Sequence, residues 1–414
     1  MVKHRQPISV AEAVFRVLDK AQPTGTETVS LTDSYGRILA GPLAATYDVP
    51  PFDRSPYDGF AIRSVDSAGA SRDNRLTFKV VDHIGAGAVS AATLGAFEAV
   101  RLMTGAALPR GADAVVMLEQ TIAAKDTFTI RKSFSHQENL SLQGEDMKTG
   151  EAIVPAGSII KAGTIALLAT FGYASVKVAK QPVVGILATG SELLDVSEPL
   201  VHGKIRNSNG PMIAAQLASM GIPYKIYGMT ADHLEEGLRA VRTAMEETDC
   251  LITTGGVSVG DYDYLPAIYE QLGAEVLFNK VAMRPGSVTT VAVSDGSYLF
   301  GLSGNPSACF TGFELFVRPA LLRMMGADKV FLPRITARLA EDFKTPNPFT
   351  RFIRAIYDNS TVRPAGFNKS NAVSSIARGN SLMVLPSGSR GFAAGDLVDV
   401  LLLGVEEGTD EWAL

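Results

Sequence analysis

Several short segments carry residue types able to hold a charged ligand. Thr253-Thr254-Gly255-Gly256-Val257-Ser258-Val259-Gly260-Asp261-Tyr262-Asp263 follows an apolar run and opens a helix, so its small residues and backbone amides would let an anion approach closely. Gly255 and Gly260 have Walker A spacing, but Asp261-Tyr262 stands where Lys-Ser/Thr would, and G-x-G-x-x-G is absent. Acids after the loop suggest a phosphate neutralised through Mg2+. A glycine-rich turn needed only for packing is the competing reading. Ala188-Thr189-Gly190-Ser191-Glu192 is a second strand end, and Ser303-Gly304-Asn305-Pro306-Ser307 turns sharply into a helix, exposing backbone donors. Glu192 and Asp232, each at a strand end, read either as helix-start acids or as metal ligands. Alternation along Lys280–Gly286 puts Lys280, Ala282 and Arg284 on one strand face, two cations aimed one way. Phe52–Ala61 and Gly144–Gly150 each wrap turn formers around acids; alone, each reads as a loop whose Asp caps backbone N–H groups.

Other chemistries are excluded. Cys250 and Cys309 are the only cysteines, which rules out a disulfide framework and a thiolate zinc site, and the five histidines are scattered singly, which argues against a histidine-held metal. There is no Ser-His-Asp pattern, nor a cysteine nucleophile beside a histidine.

The elements that must position these loops follow from periodicity. Ser9-Val10-Ala11-Glu12 is a capping box, with Val14, Leu18 and Ala21 at helical spacing after it. Short β-like runs and turns fill the chain to about residue 180, apart from an apolar helix in GTIALLATFGY. From 181 to about 326 strands alternate with helices, which implies a parallel sheet covered on both faces. Ligands bind such sheets beyond the carboxyl ends of the strands, so loops 189–192, 254–263 and 303–306 should share one crevice. Residues 331–414 return to short strands and fit a small β-barrel. With 414 residues, 46% hydrophobic and 20% charged, the chain is an ordinary globular protein of about two to four domains. A net charge of −5 argues against a nucleic-acid partner, and no apolar run is long enough for a membrane span. Without a signal-like N-terminus, the expected location is cytoplasmic.

The segments SPYDGFAIR, MTGAALPRGADAVVMLE, GEDMKTGE, ILATGSELL, GKIRNSN, ITTGGVSVGDYDY, VAMRPGS, GLSGNPSACF and PSGSRGFAAGDLVDVLLL occur in that order. Together they resemble the molybdopterin molybdenumtransferase family, bacterial MoeA and the E domain of gephyrin, over nearly the whole chain. The resemblance implies a multidomain α/β plus β fold. Its parts would be an elongated connector domain (1–26, 43–54 and 142–180), a β-rich inserted lobe (27–42 and 55–141), a MogA-like α/β parallel-sheet domain (181–330) and a C-terminal β-barrel (331–414). It implies a homodimer in which Asp58 and Asp146 of one protomer face the 254–263 loop of the other. The implied reaction transfers molybdenum from molybdate to adenylylated molybdopterin and releases AMP. Asp58, Asp146, Glu192, Asp232 and Asp263 would then be the catalytic acids, with Glu192, Asp232 and Asp263 also holding Mg2+. Thr104, Thr189, Gly190, Ser191, Gly255, Gly256, Ser258, Lys280, Arg284, Gly304, Asn305 and Pro306 would bind the pterin nucleotide. Arg354 with Ser374 or Ser375 would take the oxyanion, since a guanidinium and a hydroxyl suit a tetrahedral dianion. A MogA-type adenylyltransferase is an implied partner.

Three motifs depart from the family pattern. Ser287 replaces the lysine of P-G-K-P, Ser303 the first proline of G-L-P-G-N-P, and the M-D-G-Y motif reads Tyr57-Asp58-Gly59-Phe60. A lost lysine could weaken molybdate capture, shift selectivity toward tungstate, or be covered by Arg284. The competing functions are an enzyme that adenylylates molybdopterin and a non-catalytic scaffold on the same architecture.

Overall fold

The computed structural model describes residues 6–230, 234–256, 264–404 and 412. The chain divides into a smaller unit, Pro42–Val154 with Thr170–Gly172, and a larger one, Met1–Gly41 with Pro155–Ala169 and Tyr173–Leu414.

In the larger unit, helix α1 (Val10–Asp19) starts as the capping box predicts, with Ser9 Oγ accepting the Glu12 amide at 3.1 Å. The Glu12 carboxylate turns instead to Arg16 Nε, 2.8 Å away, one turn on. Val10, Ala13, Val14 and Val17 bury one face. Thr26–Ser30 pairs antiparallel with Ser175–Ala179, both within the larger unit.

The alternating region forms β1 (Val184–Thr189), α2 (Asn209–Ser219), β2 (Tyr224–Thr230), α3 (Leu234–Glu247), β3 (Cys250–Thr254), α4 (Leu265–Gln271) and β4 (Glu275–Phe278). After the short β5 (Met283–Arg284) come β6 (Thr290–Ser294), β7 (Ser297–Leu302) and α5 (Pro306–Gly312). The sheet order is β2-β1-β3-β7-β6-β4. Its first four strands are parallel, as the alternation predicts, and β6 and β4 add an antiparallel edge. The cause is a two-residue turn: Asp295 (φ 49°) and Gly296 (φ 82°) both take left-handed conformations, the geometry that folds β6 back on β7. α1, α2 and α5 share one apolar core with one sheet face, while α3 and α4 cover the other.

The helix that the 303–307 turn opens is interrupted after about two turns. Between α5 and α6 (Arg318–Met324) lies a π turn, Phe313–Val317. Pro319 has no amide, and its ring would press on the carbonyl of Leu315; a widened turn relieves the clash. β8 (Arg334–Leu339), β9 (Thr350–Tyr357), β10 (Thr361–Pro364), α7 (Ser374–Arg378), β11 (Ser381–Leu385) and β12 (Leu397–Leu402) follow. The five strands close into a barrel in the order β9-β10-β8-β12-β11, with β11 returning to pair with β9. Ile353, Ala355, Met383, Val398 and Val400 fill its interior, whereas Phe352, Leu382, Val384 and Leu401 join the core of the parallel sheet.

The smaller unit is built on a six-stranded sheet in the order Ala114–Met117, Gly59–Ile62, Glu98–Leu102, Leu76–Ile84, Thr127–Ile130, Ile122–Ala123. Alternation buries both faces: Phe60, Phe78 and Phe128 stack on one, and Ala61, Val100 and Val115 pack on the other. Among the described residues no helix is long and apolar enough to cross a membrane.

Candidate functional site

The chain leaves β1 for β2 on one side and returns to β3 on the other, so the sheet opens between the carboxyl ends of β1 and β3. Three strand-end loops meet there. The Gly255 amide donates to Leu302 O (3.1 Å), Thr189 Oγ1 donates to Thr254 O (3.2 Å), and Asn209 Nδ2 donates to Gly304 O (2.9 Å). Gly255 (φ 90°) crosses Thr189 so closely that a Cβ would stand 2.4 Å from the Thr189 carbonyl oxygen, and one on Gly256 would stand 3.0 Å from Thr189 Oγ1. Packing alone therefore demands Gly255, and the left-handed backbone of Gly256 (φ 63°) favours glycine there, whatever else the loop binds.

Loop 303–306 lies beside them, the Cβ position of Gly304 being 3.6 Å from Gly255 Cα. Its amides are not a row of open donors, however. Asn305 N–H is taken by Ser303 Oγ (3.2 Å) and Ser307 N–H by Ser370 O (3.0 Å), while Pro306 has none. Ser307 Oγ also donates to Ala372 O (2.6 Å), so this helix start anchors the 370–372 segment of the barrel. Asn209, buried with its Oδ1 unpartnered, is a site residue that the sequence reading passed over, although it lies in the quoted segment GKIRNSN. Gly190, Ser191 and Glu192 continue the β1 end, the last two exposed; Ser191 O accepts Lys204 Nζ and Glu192 O accepts the Ile205 amide (2.9 Å). Asp232, Ser258 and Asp263 lie outside the described residues. Among the described residues no three His, Cys, Asp or Glu side chains gather as a metal site.

The predicted alternation of cations holds: Val281 and Met283 are buried, Lys280 is half-buried and Arg284 is exposed. Arg354 has a different setting. At 1% exposure it is a buried guanidinium, its Nε donating to Ser375 Oγ (3.3 Å) and an Nη to Lys369 O (3.2 Å). Both partners are neutral, and burial pushes its pKa down to about 10. Ser375 is buried beside it, and Ser374 is exposed at the start of α7.

Asp58, Thr104 and Asp146 belong to the smaller unit. One oxygen of Asp58 accepts both the Thr104 amide (2.7 Å) and its hydroxyl (2.9 Å), and the amide bond above all holds the carboxyl below its ordinary range. Asp146 is exposed, and among the described residues its carboxylate has no hydrogen-bond or charged partner. Its loop is held by neighbours instead. Asp48 accepts the Thr149 amide (2.9 Å), the Thr149 hydroxyl (2.8 Å) and Gln143 Nε2 (3.0 Å), and Glu145 accepts the Leu142 amide (2.9 Å).

Family models match three consecutive stretches: the MoeA N-terminal region (domains I and II) over residues 8–172, a probable molybdopterin binding domain over 185–323, and the MoeA C-terminal region (domain IV) over 336–403. A molybdopterin molybdenumtransferase of Staphylococcus aureus (strain N315) is 59% identical over 418 residues, covering 100% of both chains. One from Staphylococcus epidermidis (strain ATCC 12228 / FDA PCI 1200) is 56% identical, covering 97% of each. The crystal structure of the molybdopterin biosynthesis moeA protein from Pyrococcus horikoshii OT3 superposes with a TM-score of 0.84 at 29% identity, covering 96% of this chain and 100% of that one. With its three regions in family order and relatives matched end to end, the chain belongs to the MoeA family of molybdopterin molybdenumtransferases.

Proposed function

We propose that this chain inserts molybdenum: it takes molybdate and adenylylated molybdopterin, passes the metal to the dithiolene sulfurs and releases AMP. The observation that carries this reading is the meeting of Thr189, Gly255 and Gly304 at one sheet opening, in a chain that aligns end to end with transferases of that name. The opening would seat the pterin nucleotide, with Lys280 and Arg284 supplying positive charge. Cleavage of the phosphoanhydride would rest on positioning and preorganised charge rather than a covalent nucleophile. Burial pushes the Cys250 and Cys309 thiols up, which removes the two thiol nucleophiles the sequence offers.

In this reading Asp58 and Asp146 reach the opening from the second protomer of a homodimer and hold the substrate's reacting groups. Mg2+ is proposed on Glu192, Asp232 and Asp263, where it would neutralise phosphate charge. Of these only Glu192 lies among the described residues, where it is exposed at the end of β1. The protein would work in the cytoplasm and receive its substrate from a MogA-type adenylyltransferase.

The test is AMP release from adenylylated molybdopterin with molybdate, with tungstate and with neither. Molybdate-dependent AMP is expected. Release with tungstate alone would make the enzyme tungstate-selective, and no release with either oxyanion would overturn the insertase and favour the scaffold. AMP formed from ATP and unadenylylated molybdopterin would point to the adenylylating alternative. Chelation should stop turnover, with added Mg2+ restoring it; turnover unaffected by EDTA would remove the ion.

A further inference from the structure

β5 lies beside β9 in parallel register, with Met283 opposite Thr350 and Arg284 opposite Arg351. In-register neighbours share a face, and adjacent strands are about 4.8 Å apart, so two guanidinium-bearing chains emerge side by side. Each sits against its own ring: Arg284 Cζ is 6.0 Å from the centre of Phe349, and Arg351 Cζ is 5.7 Å from that of Phe343. Arg351 is half-buried, and its Nε is closed off from solvent without a hydrogen-bond partner. Among the described residues neither arginine meets a carboxylate. Burial and the neighbouring Arg284 charge both lower the Arg351 pKa, as expected for two like charges on adjacent strands. Arg354 offers the contrast, since Ser375 and Lys369 already occupy its Nε and one Nη.

We propose that Arg284 and Arg351 form a two-guanidinium clamp for a tetrahedral dianion. Such forks match the oxygens of tetrahedral oxyanions in pairs, and an anion held by the outer nitrogens of both would cancel the repulsion. The clamp supplies a second cation to a chain that carries Ser287 where its family pattern has lysine. Its place in molybdenum insertion rests on the proposed function; the binding itself does not. Free molybdate and the phosphate of the pterin nucleotide share this chemistry.

Titration calorimetry of the full chain with molybdate, inorganic phosphate and AMP separates the two sources. Molybdate binding without AMP binding assigns the clamp to the free oxyanion, and AMP binding assigns it to the nucleotide phosphate. Arg351→Gln and Arg284→Gln should each weaken the bound anion about tenfold, the scale of a lost charge-assisted hydrogen bond, while Arg351→Lys retains part of the affinity. Arg239→Gln, on the exposed face of α3, should change nothing. Wild-type affinity in both glutamine variants, or no binding of any of the three anions, would overturn the clamp. If Arg351→Gln does not fold, the exposed Arg284→Gln decides alone. Oxyanion binding through these arginines without AMP release would overturn the proposed function and keep the clamp. Molybdate-dependent AMP release with an unaltered half-saturating molybdate or nucleotide concentration in both variants would do the reverse.

Discussion

The two acidic turns of the smaller unit look alike as sequence, an Asp among turn formers, and they use their acids differently. Asp58 is spent within its own unit: one oxygen accepts the amide and the hydroxyl of Thr104, and this alone accounts for an aspartate there. Around Asp146 the same work is done by Asp48 and Glu145, and Asp146 itself is left over. A carboxylate that stabilises nothing in its own fold is the stronger candidate for work on a ligand. Asp58 can serve both ends, because its second oxygen has no partner among the described residues.

The largest expected effect comes from Asp146→Asn, which should cut molybdate-dependent AMP release by about a hundredfold or more with an unchanged Tm. Near-normal turnover would remove Asp146 from the chemistry. Next is Asp58, where two substitutions separate charge from cap. Asparagine keeps an acceptor for Thr104 and should cost about tenfold in turnover with little change in Tm, whereas alanine should lower Tm as well. Full activity in Asp58→Asn would make this acid purely structural. Its depressed pKa means the stabilisation is complete above the ordinary carboxylate value of about 4 and is lost as pH falls through the lower folded value. The gap in urea midpoint between wild type and Asp58→Ala should therefore be constant near pH 6 and narrow in acid; a gap that widens in acid would contradict the cap. Thr104→Val removes one of the two donors and should cost about threefold in turnover, with an Asp58 pKa closer to normal by NMR titration. The smallest catalytic effect is expected from Asp48→Ala, which should lower Tm by a few degrees with turnover within about twofold. A large loss of activity at unchanged Tm would exchange the roles of Asp48 and Asp146.

Much of this was legible in the residues. Ser9 and Glu12 announced α1, and the alternation of strand and helix announced the sheet whose ends gather Thr189, Gly255 and Gly304. The outward face of Lys280 and Arg284 followed from the apolar Val281 and Met283 between them. Other features were visible but weaker than their surroundings. Asp295-Gly296 is a strong hairpin signal, yet it sits in a run of strands and helices whose rhythm suggests parallel pairing throughout. EVLFNKVAM reads as one apolar strand, while its two ends serve different sheets, β4 in the parallel-sheet region and β5 beside the barrel. What no local pattern conveys is partnership at long range. That Asn209 holds the Gly304 carbonyl, that Ser307 is consumed by residues 370–372, and that Arg351 emerges beside Arg284 are facts of tertiary register.

The barrel contributes Phe352, Leu382, Val384 and Leu401 to the same oily interior that Phe313, Phe316 and Met325 fill from the helix before it. Severing the chain near residue 330 would leave two fragments, each with a raw greasy wall, prone to clump unless made together. Grafting this barrel onto a foreign partner would fail for the same reason, and a shuffled gene would have to carry both halves as one cassette.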